Sequence, residues 1–438
     1  MTAGESGDRA SVGRCLVVHP VLRRMAARAG GRGRSPEARL EEAIGLALAI
    51  SLEVVHADIA RVASWSPATL LPSGTVENLG RVIAEKNIGV AVIDAAVSPV
   101  RQRNLERVWK CKVIDRTGLI LEIFGARART HEGRLQVELA ALNYQRSRLV
   151  RSWTHLERQR GGFGFVGGPG ESQLEIDRRL ITDRIVNLKK DLSAVKRRRE
   201  LHRGARKRVP YPVVALVGYT NAGKSTLFNR LTRAKVSSAA RLFETLDPTM
   251  RRLALPSGRP AILSDTVGFI SDLPTTLVAA FRATLEEVTE SDLIVHVRDI
   301  HHPDSEAQRE DVLAVLAELG LGERTESGMI EALNKIDLLP KTERAVLANQ
   351  TRRNRDAVPI SAATGEGCDV LLALLDTRLD VGRQRLRLDV PLSDGAALAW
   401  LYNRGAVMSR KDDDSMAHLE VKLSEADLGR FRGRRISH

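Results

Sequence analysis

Gly218-Tyr219-Thr220-Asn221-Ala222-Gly223-Lys224-Ser225 fits the pattern G-x-x-x-x-G-K-[ST], and Thr226 opens a helix-like run directly behind it. Glycines at these places let backbone N–H groups curl around phosphate oxygens at a helix N-terminus. Lys224 brings a full positive charge to β- and γ-phosphates, and the Ser225 hydroxyl is a ligand for Mg2+. Asn221 has two readings: a residue that favours tight turns, or a ligand for K+ beside the phosphates, in the place of an arginine finger.

Further along, Asp265-Thr266-Val267-Gly268 stands at the end of an apolar run, where an aspartate can hold Mg2+ through water and a glycine N–H can meet a γ-phosphate. Between these two motifs Phe243-Glu244-Thr245-Leu246-Asp247 offers a threonine for the metal; Thr245 is the first choice and Thr249 the second. The metal ligands expected are therefore Ser225, Thr245 and Asp265, and Lys224, Thr245 and Gly268 are the groups expected at the scissile phosphate. Phe269 follows the glycine, where many GTPases carry a water-orienting glutamine. Phenylalanine cannot orient water, so hydrolysis should be slow or should depend on a group supplied by a partner or another loop.

Asn334-Lys335-Ile336-Asp337 provides the base reader. Its aspartate is placed to accept from N1–H and the N2 amino group of guanine, whereas adenine would oppose a lone pair to the carboxylate. Ser361-Ala362-Ala363 then offers a backbone N–H to guanine O6. The set reads as a Mg·GTP site with GDP as product.

These motifs need a scaffold that puts loops at one edge of a sheet. Apolar runs Val213–Val217, Ala261–Ser264, Leu293–Val297, Ile330–Leu333 and Val358–Ile360 alternate with helical segments, the pattern of a doubly wound nucleotide-binding fold. Upstream, Cys15–His19, Leu52–His56, Gly89–Ile93 and Lys112–Ile114 alternate with helical stretches such as Pro36–Ser51 and Thr75–Glu85, predicting a small α/β unit with a mainly parallel sheet. Two long helices follow, about 131–160 and 171–203, separated by the glycine-rich GGFGFVGGPG of 161–170, a predicted hairpin with a loop at its tip. Val209-Pro210-Tyr211-Pro212 stops the second helix. After Arg383, helix-like and strand-like patches predict a small α+β appendage.

The 438 residues, 43% of them hydrophobic, suit several domains, and the boundaries expected are 12–128, 129–208, 209–382 and 383–438. Net charge is +14, which favours phosphate-rich partners, and between Arg178 and Arg208 thirteen Lys and Arg face three acids. Three scattered cysteines suggest neither a disulfide framework nor a zinc site. A polar start without an apolar core, and no run long enough to cross a bilayer, point to a cytoplasmic protein without a membrane anchor.

At this point the chain resembles the HflX family of ribosome-associated GTPases along nearly its whole length. The likeness lies in Val113-IDRTGLIL, Leu135-QVELA, Leu149-VRSWTHLERQRGGFGF, Gly167-GPGESQLEIDRR, and the stretch DTVGFI leading through Asp272-Leu-Pro to Leu277-VAAFRATLEE. It implies an N-terminal α/β domain, a helical linker, a Ras-like P-loop GTPase domain and a small α+β C-terminal domain. It also implies a monomer that binds the large ribosomal subunit and its rRNA, and in the GTP form separates stalled or idle ribosomes under stress. Basic helix and glycine loop agree with this, since Lys and Arg neutralise RNA phosphates and a slim loop fits a crowded RNA cavity. The chain departs from the family at Gly74-Thr75, where a glycine-lysine pair is common, and in a glycine segment one residue longer. Rival readings are a GTPase serving ribosome assembly or RNA modification, and a membrane-linked regulator.

Overall fold

The computed structural model describes residues 13–23, 34–159, 173–206, 211–233, 242–243, 249–271, 285, 287–404 and 406–435. Strands β1 (Arg14–Leu22), β2 (Glu53–Val62), β3 (Val90–Ile93) and β4 (Lys112–Asp115) form a parallel sheet in the order β2-β1-β3-β4. Cys15 to Val18 are fully buried, so β1 reads as an unbroken apolar run because both of its faces are covered. Helices α1 (Pro36–Ala49) and α4 (Arg116–Arg127) cover one face, and α2 (Ser73–Glu85) and α3 (Pro99–Trp109) the other. The helix starts carry their own stop-and-go chemistry. Ser35 accepts from Ala38 N–H at 3.1 Å ahead of Pro36, and Asp115 accepts from Gly118 N–H at 2.8 Å.

The predicted hairpin is present as α5 (His131–Gln159) and α6 (Gln173–Arg206), with the glycine tip of 161–170 lying outside the described residues. Arg184 pairs with Glu138 across it at 2.7 Å. At 1.5 Å per residue α6 is roughly 50 Å long. Among the described residues of its first half, only Ile185 and Leu188 are buried.

Strands β5 (Val213–Val217), β6 (Thr249–Ala254), β7 (Pro260–Asp265), β8 (Leu293–Asp299), β9 (Ile330–Asn334) and β10 (Ala357–Pro359) form the second sheet, ordered β10-β9-β8-β5-β7-β6. All pairs are parallel except β6 with β7. Strand β6 was not expected from the sequence: its TMRRLA puts two exposed arginines into an edge strand that buries Leu253 alone. Helices α7 (Lys224–Thr232), α8 (Ser305–Glu318), α9 (Lys341–Thr351) and α10 (Cys368–Leu379) belong to this unit, with a short helical turn at Gly322–Ser327. The third sheet is antiparallel, β11 (Arg383–Pro391), β13 (Met416–Ser424) and β12 (Val407–Asp412), with α11 (Gly395–Asn403) and α12 (Glu425–Arg435).

The first two units do not stand apart. One apolar cluster runs from Leu46 and Phe124 of the first to Val217, Tyr219, Phe243 and Phe269 of the second. Among the described residues no helix is long and apolar enough to cross a membrane.

Candidate nucleotide site

Two glycines of the phosphate loop are fixed by close approach. A Cβ on Gly218 (φ +150°) would lie 2.2 Å from the Val297 carbonyl oxygen, and one on Gly223 (φ +95°) 2.2 Å from Asn334 Nδ2. Because Gly223 leaves that room, the Asn334 amide passes behind the loop and donates to Ala222 O at 2.8 Å. The loop hands over directly to α7, whose first-turn N–H groups and dipole face the same space.

Lys224 is buried, and its ammonium donates to Gly218 O at 3.1 Å and Tyr219 O at 2.8 Å. Burial pushes its pKa down to about 8 against the pull of Asp265. Both acceptors are neutral carbonyls, so a bound polyphosphate would supply the counter-charge. The Ser225 hydroxyl donates to Asp265 Oδ2 at 2.7 Å, and Asp265 has no exposed surface. A hydroxyl and a buried carboxylate, both hard oxygen ligands on the sheet edge beside Lys224, fit Mg2+. Thr220 carries a buried hydroxyl that meets no partner among the described residues.

Thr266 anchors the second motif to the first through Leu216 O, at 2.6 Å. Gly268 lies directly on the phosphate loop: a Cβ there would fall 2.8 Å from Thr220 Cα and 3.1 Å from Lys224 Nζ. Thr220 N–H donates to Phe269 O at 2.7 Å and Phe269 N–H to Gly218 O at 3.1 Å, a short parallel bridge. The Phe269 ring is buried in the shared apolar cluster. Its side chain thus serves packing between the units.

At the base end, Asn334 Oδ1 accepts from Ala362 N–H at 2.9 Å, tying the two recognition loops together. Lys335 is left-handed (φ 69°) and its ammonium meets Asp299 at 2.6 Å. Ile336 N–H donates to Ile360 O at 3.3 Å, and Asp337 sits half-exposed on the 3-10 turn Ile336–Leu338. Ser361 is buried, and its hydroxyl accepts from Thr364 N–H at 3.1 Å.

The structure therefore gathers residues 218–226, 265–268, 334–337 and 361–363 at one sheet edge. Glu244, Thr245, Leu246 and Asp247 lie outside the described residues. Thr249, the second metal choice, is in β6, opposite Asp265 in the ladder. Phe243, expected at the nucleotide, points elsewhere: it is buried edge-on against Phe124 of α4, centroids 4.7 Å apart.

What the sequence did not reveal is the polar cluster behind the loop. Glu42 of α1 receives Arg34 at 2.5 Å, Arg116 and the Tyr219 hydroxyl. Arg116 also holds Asp94 at 2.5 Å, which in turn meets His19 at 2.8 Å. Ser271, just past the second motif, donates its N–H to Tyr219 Oη at 2.8 Å, its hydroxyl to Glu42 at 3.0 Å, and its carbonyl accepts from Arg116 at 2.9 Å. Burial alone would raise the Glu42 carboxyl; Arg116 and Arg34 more than offset it and hold it below the usual range. The one signal in the sequence was the Arg116 inside IDRTGLIL, which spacing alone does not connect to Glu42.

A buried lysine facing a glycine loop, a hydroxyl–carboxylate pair for a divalent cation and an NKxD turn laced to it define a P-loop GTPase, an enzyme that binds and hydrolyses GTP. Comparison with known proteins gives the family. Residues 37–125 match the model "GTP-binding GTPase N-terminal", 127–206 "GTP-binding GTPase Middle Region", 213–335 "50S ribosome-binding GTPase" and 346–436 "HflX C-terminal domain". The chain belongs to the HflX family of GTPases. It is 52% identical to GTPase HflX of Magnetococcus marinus over 396 residues, 90% of each chain. With GTPase HflX of Escherichia coli K12 it shares 44% over 369 residues, 83% of this chain and 85% of the other. The crystal structure of SsGBP with GDP has the same fold, with a TM-score of 0.50 and 24% identity over 83% of this chain and 98% of that one. P-loop GTPases of this kind generally use Mg2+.

Proposed function

We propose that the chain works as a nucleotide-controlled switch on the large ribosomal subunit, splitting or rescuing stalled or idle ribosomes under stress, as a cytoplasmic monomer. The observation that carries this reading is α6: Arg178, Arg179, Arg184, Lys189, Lys190 and Arg197 are all exposed, and over residues 175–195 this helix buries only Ile185 and Leu188. Such a rod offers phosphate contacts to RNA, and it is joined to the nucleotide site by the linker that ends at Pro212. The match to a ribosome-binding GTPase model over residues 213–335 agrees with it.

In this reading Gly218 to Thr226 wrap the phosphates, Lys224 neutralises the β- and γ-oxygens, and the Gly268 N–H meets the γ-phosphate. Mg2+, held by Ser225, Asp265 and, in the GTP form, Thr245, supplies charge neutralisation. Asp337 reads N1–H and N2, and the Ser361–Ala363 loop reads O6. Asn221 is exposed on the loop at φ 61°, which supports reading its side-chain oxygen as a ligand for K+. Hydrolysis is expected to run about tenfold faster or more in K+ than in Na+; equal rates in the two buffers remove that ligand.

Sedimentation with purified ribosomal subunits tests the ribosome role. Pelleting with the large subunit in GTP analogue and release in GDP is the expected result. Pelleting that ignores the nucleotide, or co-purification with free precursor RNA instead, would replace it with the assembly or modification reading.

A further inference from the structure

Arg230 lies in the last turn of α7, at the far end of that helix from Lys224, and looks like an ordinary solvent-facing charge. It reaches instead to the loop behind β10. Nε donates to Ala362 O at 3.0 Å and Nη2 to Ala363 O, and the guanidinium packs beside Gly365, where a Cβ would come within 3.1 Å of Nη1.

The four amides of this loop have different fates. Ser361 N–H goes to Glu366 O at 2.9 Å, Ala362 N–H to Asn334 Oδ1 at 2.9 Å and Thr364 N–H to Ser361 Oγ at 3.1 Å. Among the described residues, Ala363 N–H alone has no protein acceptor. It belongs to the same peptide plane as the Ala362 carbonyl, and in a trans peptide the two point in opposite directions. The group that grips Ala362 O therefore sets where Ala363 N–H aims. A charged donor on that carbonyl also draws electron density away from the N–H and strengthens it as a donor.

We propose that Arg230 is a positioning residue for guanine recognition, which aims and polarises the Ala363 N–H at O6 of the bound base. This rests on the reading of Ser361–Ala363 as the O6 contact. Lysine cannot replace it fully, because a single ammonium does not span two carbonyls as the guanidinium fork does.

The test is a pair of titrations, GDP against 6-thioguanosine diphosphate, on wild type, Arg230→Ala and Arg230→Lys. The thio analogue keeps N1–H and the N2 amino group for Asp337 but replaces O6 with a poor acceptor. Arg230→Ala is expected to weaken GDP about tenfold and the thio analogue no more than about twofold, with Arg230→Lys in between for GDP. The hydrolysis rate at saturating GTP should stay within about twofold, since no reacting atom is touched. Equal losses for both diphosphates, or an unchanged GDP affinity, overturn the proposal. Should wild type itself bind both ligands alike, the O6 reading fails, a result distinct from failure of Arg230.

Discussion

Asp337→Asn is expected to turn the preference of this chain from guanine to xanthine nucleotides. The carboxylate accepts two hydrogen bonds from guanine, and asparagine replaces one of those acceptors with a donor that then confronts the N2 amino group. Hydrogen bonds to a charged acceptor contribute about 1.5–3 kcal/mol each, so GDP affinity should fall roughly 10²- to 10⁴-fold. Xanthine carries a carbonyl at C2, which accepts from the new amide, and its diphosphate should bind the variant better than GDP does. The substitution preserves size on a turn braced from three sides, by Asn334 on Ala222, Lys335 on Asp299 and Ile336 on Ile360, so the fold should not change. Competition titration of GDP and xanthosine diphosphate decides it. A variant that keeps its GDP affinity within about threefold would strip Asp337 of its role.

That site was legible because its chemistry is contiguous. Each of Gly218–Ser225, Asp265–Gly268 and Asn334–Asp337 carries its purpose within a few residues, and the buried strands between them read as apolar runs with no need of alternation. Edges were harder. Strand β6 hides behind Arg251 and Arg252, both exposed, and α3, PVRQRNLERVW, buries only Leu105 and Trp109 and so has almost no apolar stripe to read. Least legible were residues whose meaning depends on distant partners. Arg34, Glu42, Arg116, Tyr219 and Ser271 span more than half the chain, and single charges at helical spacing normally signal a wet surface. Phe269 shows the same limit: its type excludes water orientation, but only the structure gives the ring its task, in the cluster shared by the two units.

Glu42 carries the second large effect. Its carboxylate is buried between two guanidiniums, the Tyr219 hydroxyl and Ser271. Removing it as Glu42→Ala leaves two buried cations short of a counter-charge, which costs about 3–5 kcal/mol. The lower end applies, because Asp94 still pairs with Arg116 and Asp304 lies 3.4 Å from Arg34. Tyr219→Phe deletes one hydroxyl and leaves Ser271 N–H unsatisfied, a loss of about 1–3 kcal/mol. Denaturant unfolding should rank wild type above Tyr219→Phe, and that above Glu42→Ala. Acid supplies a control that packing alone would not move. The folded-state pKa of Glu42 lies below its unfolded value, so its contribution is complete above about pH 4.5 and is lost as pH falls through the folded value. Glu42→Gln has no such charge to lose, and the gap between it and wild type should be wide at neutral pH and should close in acid. A gap independent of pH would mean that shape, not charge, joins the N-terminal unit to the phosphate loop.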